Sequence, residues 1–118
     1  MSFELFDKQA ARSDGQATIA VQRKGIISLN RAAWGALGEP RAVQLLFDRE
    51  LQRIGIRHVD VGSANSYPVR PSSNKASYLV SGAAFCKHYG IDTETSRRLL
   101  AGLQANVLVA NLNGEPVS

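Results

Sequence analysis

Cysteine is nearly absent from this sequence, since Cys86 is the single one among 118 residues. No disulfide can therefore form within the chain. Small secreted domains usually depend on disulfides, so we expect a reducing compartment and predict a cytoplasmic protein.

Long apolar runs are also missing. No stretch approaches the ~20 apolar residues that a membrane-spanning helix needs. The chain begins MSFELFDKQA, which contains acidic residues and no apolar run, and this is not the pattern of a signal peptide. We therefore expect no membrane partner.

Few residues have the spacing that is typical of catalytic or metal-binding sites. His58 and His88 have no partner at a metal-ligand spacing, and Cys86 lies two residues before His88, on a different helix face. The carboxylates at 48 and 50, and at 92 and 94, lie in polar turns, where their pKa values are not tuned for acid–base catalysis. Glycine-rich phosphate loops are lacking too. We predict no catalytic residue, no metal, no cofactor and no enzymatic activity.

Basic residues are present in excess. The net charge is +4 and the isoelectric point is about 9.6. Through His58 there are nine Lys and Arg against six Asp and Glu, and after it five against four. This surplus is compatible with a nucleic-acid partner.

The first half has the pattern of two hairpins around a short helix. Apolar and polar residues alternate in 17–22, Gly25 can take the positive φ of a tight turn, and 26–29 is the returning strand. Asn30 is a helix N-cap before a helix over 31–37, which Gly38 and Pro40 end. Strands over 42–47 and 53–59 then form a second hairpin, in which Ile54 and Ile56 face inward.

The second half repeats this order. An extended segment over 67–70, a loop from Pro71 and a strand over 77–80 precede Ser81, which takes the place of Asn30 as the capping residue. Small, small and aromatic residues at 32–34 recur at 83–85, an offset of 51, and Gly90 ends the helix. Residues 97–103 are predicted as a strand, with a helix extended from Thr93 as the alternative, and 107–112 as the last strand.

We therefore predict an α+β fold that is mainly β. Two tandem β-β-α-β-β units, 18–59 and 64–112, form a compact pseudo-two-fold or swapped-hairpin barrel with two short helices. Residues 1–17 are a partly flexible arm, and 18–118 are a single domain with a frayed C-terminal tail.

A resemblance to a known family covers residues 18–58. Three segments carry it: ATIAVQRKGIISL at 17–29, NRAAWGALGEP at 30–40 and AVQLLFDRELQRIGIR at 42–57. The first unit resembles the swapped-hairpin domain of the AbrB/SpoVT/MraZ class of transition-state regulators and antitoxins. The sequence departs from that family where Asn30 replaces the usual proline, and where Asp48 is followed four residues later by Gln52 instead of arginine. The resemblance implies a DNA-binding homodimer that exchanges hairpins.

Six basic residues form the predicted nucleic-acid site. The resemblance implies phosphate contacts from Arg23, Lys24 and Arg31, with Arg12 as a further candidate. Arg53 and Arg57 share the outward face of one strand and would extend a basic strip together with Arg41 or Arg49. We expect a regulator that binds DNA in preference to RNA, as a homodimer and without a small-molecule cofactor.

Two other functions are compatible with the same residues. One is a protein–protein or phage-type assembly module that dimerises and binds no nucleic acid. The other is single-strand binding on a sheet face, for which Tyr67 and Tyr78 are the available aromatics. Trp34, Phe47 and Phe85 are aromatics that would also stack on bases in a single-strand binder, but their helical and strand spacing favours the core, and we assign them to it.

Overall fold

A computed structural model describes residues 15–117. This part of the chain is mainly β, with nine short strands and two short helices. The strands are β1 (Thr18–Val21), β2 (Ile26–Asn30), β3 (Ala42–Asp48), β4 (Arg53–Val59), β5 (Tyr67–Pro68), β6 (Arg70–Pro71), β7 (Ser77–Ser81), β8 (Arg97–Gln104) and β9 (Val107–Asn111). The helices are α1 (Arg31–Ala36) and α2 (Ala83–Tyr89), and a single 3-10 turn, Arg23–Gly25, joins β1 to β2.

All nine strands belong to one sheet, in the order β5-β3-β4-β9-β8-β1-β2-β7-β6. The two strands at its edges, β5 and β6, are neighbours in the chain and are separated only by Val69. β5 pairs with β3, and β6 pairs with β7. The segment 67–71 therefore joins both edges and makes the sheet a nearly closed barrel. The backbone N–H of Val69 donates to the carbonyl oxygen of Arg41 at 3.0 Å, which ties this segment to the start of β3.

Inward and outward side chains alternate along the strands, and the inward ones form the core. In β1 and β4 the inward residues are Ile19, Val21, Ile54 and Ile56, and all four are fully buried. Because side chains alternate across a strand, Gly55 lies on the outer wall of the barrel. The predicted inward face of β4 is thereby confirmed.

The helix α1 closes one end of the barrel, which we call the α1 end. Asn30 begins it as predicted, because its Oδ1 accepts from the N–H of Ala33 at 2.9 Å. The same oxygen accepts from the N–H of Thr18 at 3.0 Å, so this residue also holds the start of β1. The fully buried Ala33 and the nearly buried Leu37 point into the core.

The helix α2 lies at the opposite end of β2, which we call the α2 end. Here the turn between β1 and β2 contacts the start of the helix, and the carbonyl oxygen of Gly25 accepts from the N–H of Gly82 at 3.0 Å. A Cβ on Gly25 would lie 2.5 Å from the Cα of Ala83. The predicted positive φ of Gly25 is confirmed at +80°, and Gly90 ends the helix in the left-handed conformation.

Several local predictions are corrected. Ser81 does not cap α2, because its pairing with Ile26 keeps it in β7, and Gly82 is the N-cap instead. The helix α1 ends at Ala36, one residue earlier than predicted. The extended segment 67–70 consists of two two-residue strands, and Pro71 belongs to the second of them instead of to a loop.

The choice between strand and helix for 97–103 is settled in favour of the strand. β8 pairs with both β1 and β9, and it is these two ladders that hold it extended. Most of the predicted arm, residues 1–14, lies outside the described residues. In the part of the chain that is described, no helix is long and apolar enough to cross a membrane.

Candidate nucleic-acid interface

Arg23 and Lys24 lie at the α2 end, in the turn between β1 and β2. Both are exposed, and Lys24 has a φ of +66°. The exposed Lys87 of α2 adds a further cation at this end, since α2 packs against the turn. The side chains of Arg23 and Lys24 therefore face solvent, although the backbone of the turn packs against α2.

Arg31 lies at the other end of β2. The five residues of this strand separate it from Lys24 by about 16 Å of extended chain. Arg57 lies at the α1 end as well, where it donates through Nε and Nη2 to the Oε1 of Gln44. The predicted residues are thus divided between the two ends.

Arg53 is held in place by an ion pair. Its Nη2 lies 2.9 Å from the Oδ2 of Asp48, across the β3–β4 hairpin. The N–H of Leu51 and, after it, Arg53 stabilise the carboxylate and lower the pKa of Asp48. The charge of Arg53 is therefore already paired with a carboxylate. The remaining predicted residue, Arg12, lies outside the described residues.

A different group of cations surrounds a pocket of about 640 Å³ at the α1 end, which we call the arginine–aromatic pocket. It is lined by three basic residues, two aromatic rings, three prolines and two valines. These are Arg31, Arg41 and Lys75; Trp34 and Tyr78; Pro40, Pro68 and Pro71; and Val61 and Val69. None of the described residues that line it is acidic.

The two aromatic rings of this pocket are stacked on each other. The ring centroids of Trp34 and Tyr78 lie 3.9 Å apart, and the ring planes differ by 8°. The indole Nε1–H of Trp34 donates to the carbonyl oxygen of Pro40 at 3.1 Å, which fixes the ring. Both side chains are half-buried. Trp34 was expected in the core, but Ala33 is the buried residue of the short helix α1 and Trp34 remains partly at the surface.

Backbone contacts position the cations of the pocket. Arg31 donates through Nη2 to the carbonyl oxygen of Lys75 at 3.1 Å, which joins α1 to the β6–β7 hairpin. Arg41 is fixed by the bond from Val69 to its carbonyl oxygen. Within residues 15–117 the only ion pair joins Arg53 to Asp48, so no described carboxylate neutralises these three charges.

The predicted site contained Arg31 but not Arg41, Lys75 or the stacked rings. A signal for Lys75 was present, because it follows Lys24 by 51 residues, the offset of the predicted repeat, and both have a positive φ. The sequence suggests Arg41 only as an extension of the basic strip on β4. Its place at the pocket follows from its neighbour Pro40, which accepts from Trp34, and from the segment 67–71 that crosses from β3 to β7.

A second pocket, of about 670 Å³, lies on the other side of α1 and contains His58. The Nδ1 of His58 lies 2.7 Å from the carbonyl oxygen of Leu37. Because a carbonyl can only accept, Nδ1 carries the proton and Nε2 is the acceptor in the neutral ring. Among the described residues no three His, Cys, Asp or Glu side chains are grouped to hold a metal.

Cys86 is buried in the core, as expected. Burial raises the pKa of its thiol above the ordinary value of 9.0. The thiolate is the reactive form, so this environment suppresses nucleophilic chemistry.

Comparison with family models, with characterised proteins and with solved structures finds no significant match to this chain. The resemblance to the AbrB/SpoVT/MraZ class therefore stays a prediction.

Proposed function

We propose that this chain is a non-enzymatic, cytoplasmic regulator that binds nucleic acid, DNA in preference to RNA, through the arginine–aromatic pocket. The observation that carries the proposal is a pocket with three cations on its rim and no acidic residue among those described. Phosphate contacts supply most of the affinity of nucleic-acid-binding proteins, and Arg and Lys supply most of these contacts.

The charge balance at the pocket supports this surface over the turn at the α2 end. Arg31, Arg41 and Lys75 converge from three separate elements. At the α2 end, Arg23 and Lys24 are adjacent in one turn and Lys87 lies on α2, so the three cations there come from two elements. A polyanion at the pocket would meet three charges at once, and binding would release about three counterions.

Binding is tested by fluorescence anisotropy of labelled oligonucleotides at increasing salt. With three phosphates neutralised, the logarithm of the association constant falls with the logarithm of the salt concentration by about 2 to 3. A response that is flat, or binding that is undetectable at low salt, would contradict the proposal.

Two lysines provide a matched comparison of the surfaces. Lys75→Ala and Lys24→Ala each remove one exposed charge from a hairpin turn at a positive φ. We expect Lys75→Ala to weaken binding several-fold and to reduce the salt slope by about 0.7 to 0.9, because one phosphate contact is lost. Lys24→Ala should change neither. The reverse pattern would move the interface to the α2 end.

We also propose that the chain consists of two copies of one unit, as in the swapped-hairpin family it resembles. The strand register supports this. In the β2–β7 pair the central partners are Ser28 and Leu79, which differ by 51 positions (79 − 28 = 51), the offset of the predicted repeat. The two units also interleave, because β1 pairs with β8 of the second unit and β3 with β5.

A homodimerising interaction module is the second candidate function. It is favoured by the division of the predicted cations between the two ends, and by an apolar row on the outer wall. Leu46, Gly55, Val109 and Gly102 face one another in register across β3, β4, β9 and β8. The Cβ of a residue at 55 would meet Val107 and Leu46, so this row is continuous.

Sedimentation of wild type and Val109→Lys tests this candidate. If the row is the interface of a homodimer, the wild type sediments as a dimer and the variant as a monomer, because a charge would be buried between the walls. A wild-type monomer at all concentrations would remove the candidate.

A further inference from the structure

We infer that the arginine–aromatic pocket takes one unpaired nucleotide of a single strand, with its base against the Trp34–Tyr78 stack and the flanking phosphates on the cations. This inference rests on the proposed function and specifies which form of nucleic acid the pocket accepts.

The stacked rings form a platform that exists before a ligand binds. Their parallel arrangement and the hydrogen bond from Trp34 to Pro40 fix both rings. Because the rings are already fixed, the protein would lose little conformational freedom when a base stacks on them. Proteins that bind single strands use such aromatic side chains, because every base presents a π face to them.

The walls of the pocket suit a planar, largely apolar ring. Pro68 and Pro71 lie on the segment that crosses from β3 to β7, and Val61, which is 70% exposed, lines the pocket from the loop after β4. The volume of about 640 Å³ lies within the range of small-molecule sites. A base that is paired within a duplex presents only its edge, so it cannot lie on the ring platform.

The cations on the rim distinguish a nucleotide from an uncharged aromatic ligand. Arg31 and Lys75 lie together, since the guanidinium of Arg31 bonds to the backbone of Lys75. Arg41 approaches from the β3 side. Phosphates on either side of a base would reach both groups, whereas a neutral ring would leave all three charges without a partner.

Among residues 15–117, the opposite end of the barrel offers no equivalent site. There Phe85 occupies the place in α2 that Trp34 has in α1, and it is only 6% exposed. It packs edge-on against Phe47 and Tyr89 instead of presenting a face to solvent. Each chain would therefore bind one nucleotide, at the α1 end.

Trp34 provides the readout, because it is the only tryptophan in the sequence. Its emission is followed during titration with a thymidine strand of about 12 nucleotides, with an abasic strand of the same length and with a duplex. We expect the thymidine strand to quench Trp34 and to bind more tightly than the abasic strand. The duplex should bind through its phosphates without quenching.

Two tyrosines give a matched pair of variants. Tyr78→Leu removes one ring of the platform, and Tyr67→Leu removes a half-buried ring that does not line the pocket. We expect Tyr78→Leu to weaken binding of the thymidine strand roughly 10-fold or more, with the duplex unchanged, because one stacked base is lost. Tyr67→Leu should leave both unchanged. Should Tyr78→Leu fail to fold, the wild type still decides the point, because the thymidine strand must bind more tightly than the abasic strand and must be the one that quenches Trp34.

The outcomes separate the inference from the proposed function. Equal quenching by the abasic strand, quenching by the duplex, or equal loss of strand and duplex binding in Tyr78→Leu would overturn the inference and leave nucleic-acid binding in place. Absence of binding by all three probes at low salt would overturn both.

Discussion

At the scale of single residues, two glycines with the same backbone requirement have different surroundings. Gly25 has a φ of +80° and faces the backbone of Ala83, where an added Cβ would come within 2.5 Å. Gly62 has a φ of +91°, and an added Cβ would meet nothing within 4 Å. The first therefore combines backbone strain with close packing, and the second has only the strain.

We expect Gly62→Ala to lower the free energy of unfolding by about 1 to 2 kcal/mol, the cost of a left-handed alanine. Gly25→Ala should cost more than that, over about 3 kcal/mol, because α2 must also move away from the turn. Urea denaturation of the two variants measures the difference. Equal losses would mean that the turn and α2 are not in contact.

At the scale of elements, sequence patterns predicted what local chemistry determines. Asn30 caps α1, Gly25 has the positive φ expected of it, and Gly90 ends α2, because these features depend on neighbouring residues. Ile54 and Ile56 face inward as the alternation within their own strand predicts. The prediction that Ser81 caps α2 was wrong because pairing with β2, a long-range contact, holds that residue extended.

The arginine–aromatic pocket was harder to predict from the sequence, because it too depends on long-range contacts. Tyr78 reaches Trp34 only because β7 pairs with β2, and Val69 reaches Arg41 only because the segment 67–71 crosses from β3 to β7. Both contacts join residues far apart in the chain. Charge and periodicity within one segment do not report such contacts.

The β3–β4 hairpin should be sensitive to acid. The pKa of Asp48 is lowered in the folded state, so its contribution to stability is fully present above the unfolded value, near 3.8, and is lost as the pH falls through the folded value. Asp48→Asn lacks this contribution. We therefore expect wild type to be the more stable protein at neutral pH, and the two to converge as the pH falls below 3.8 and through the lowered pKa of folded Asp48.

Urea denaturation of both proteins across this pH range measures the effect. Glu50→Gln is the control, because it removes the same charge from the same turn but leaves the Asp48–Arg53 ion pair intact. A difference between wild type and Asp48→Asn that persists unchanged in acid would show that the charge of Asp48 is not its source.

At the scale of the whole molecule, closure of the barrel depends on the short segment 67–71. This segment contributes two residues to each edge of the sheet, and Val69 bonds to Arg41 between them. If the closure is a permanent part of the fold, the hydrogen bond from the Val69 N–H to Arg41 breaks only when the barrel unfolds.

Native-state hydrogen exchange followed by NMR tests this point. We expect the amide of Val69 to exchange as slowly as the paired amides of β3 and β7, because all of them open in one cooperative unit. Exchange of Val69 on the timescale of the loop amides around Gly62 would indicate a barrel that opens at this seam.

The interface itself is tested most directly by an NMR titration of the folded chain with a single-stranded oligonucleotide. The account predicts shifts of the Trp34 indole N–H and of the amides of Arg31, Arg41 and Lys75, with those of Arg23 and Lys24 unmoved. Shifts confined to the turn at the α2 end, or no shifts at low salt, would contradict it.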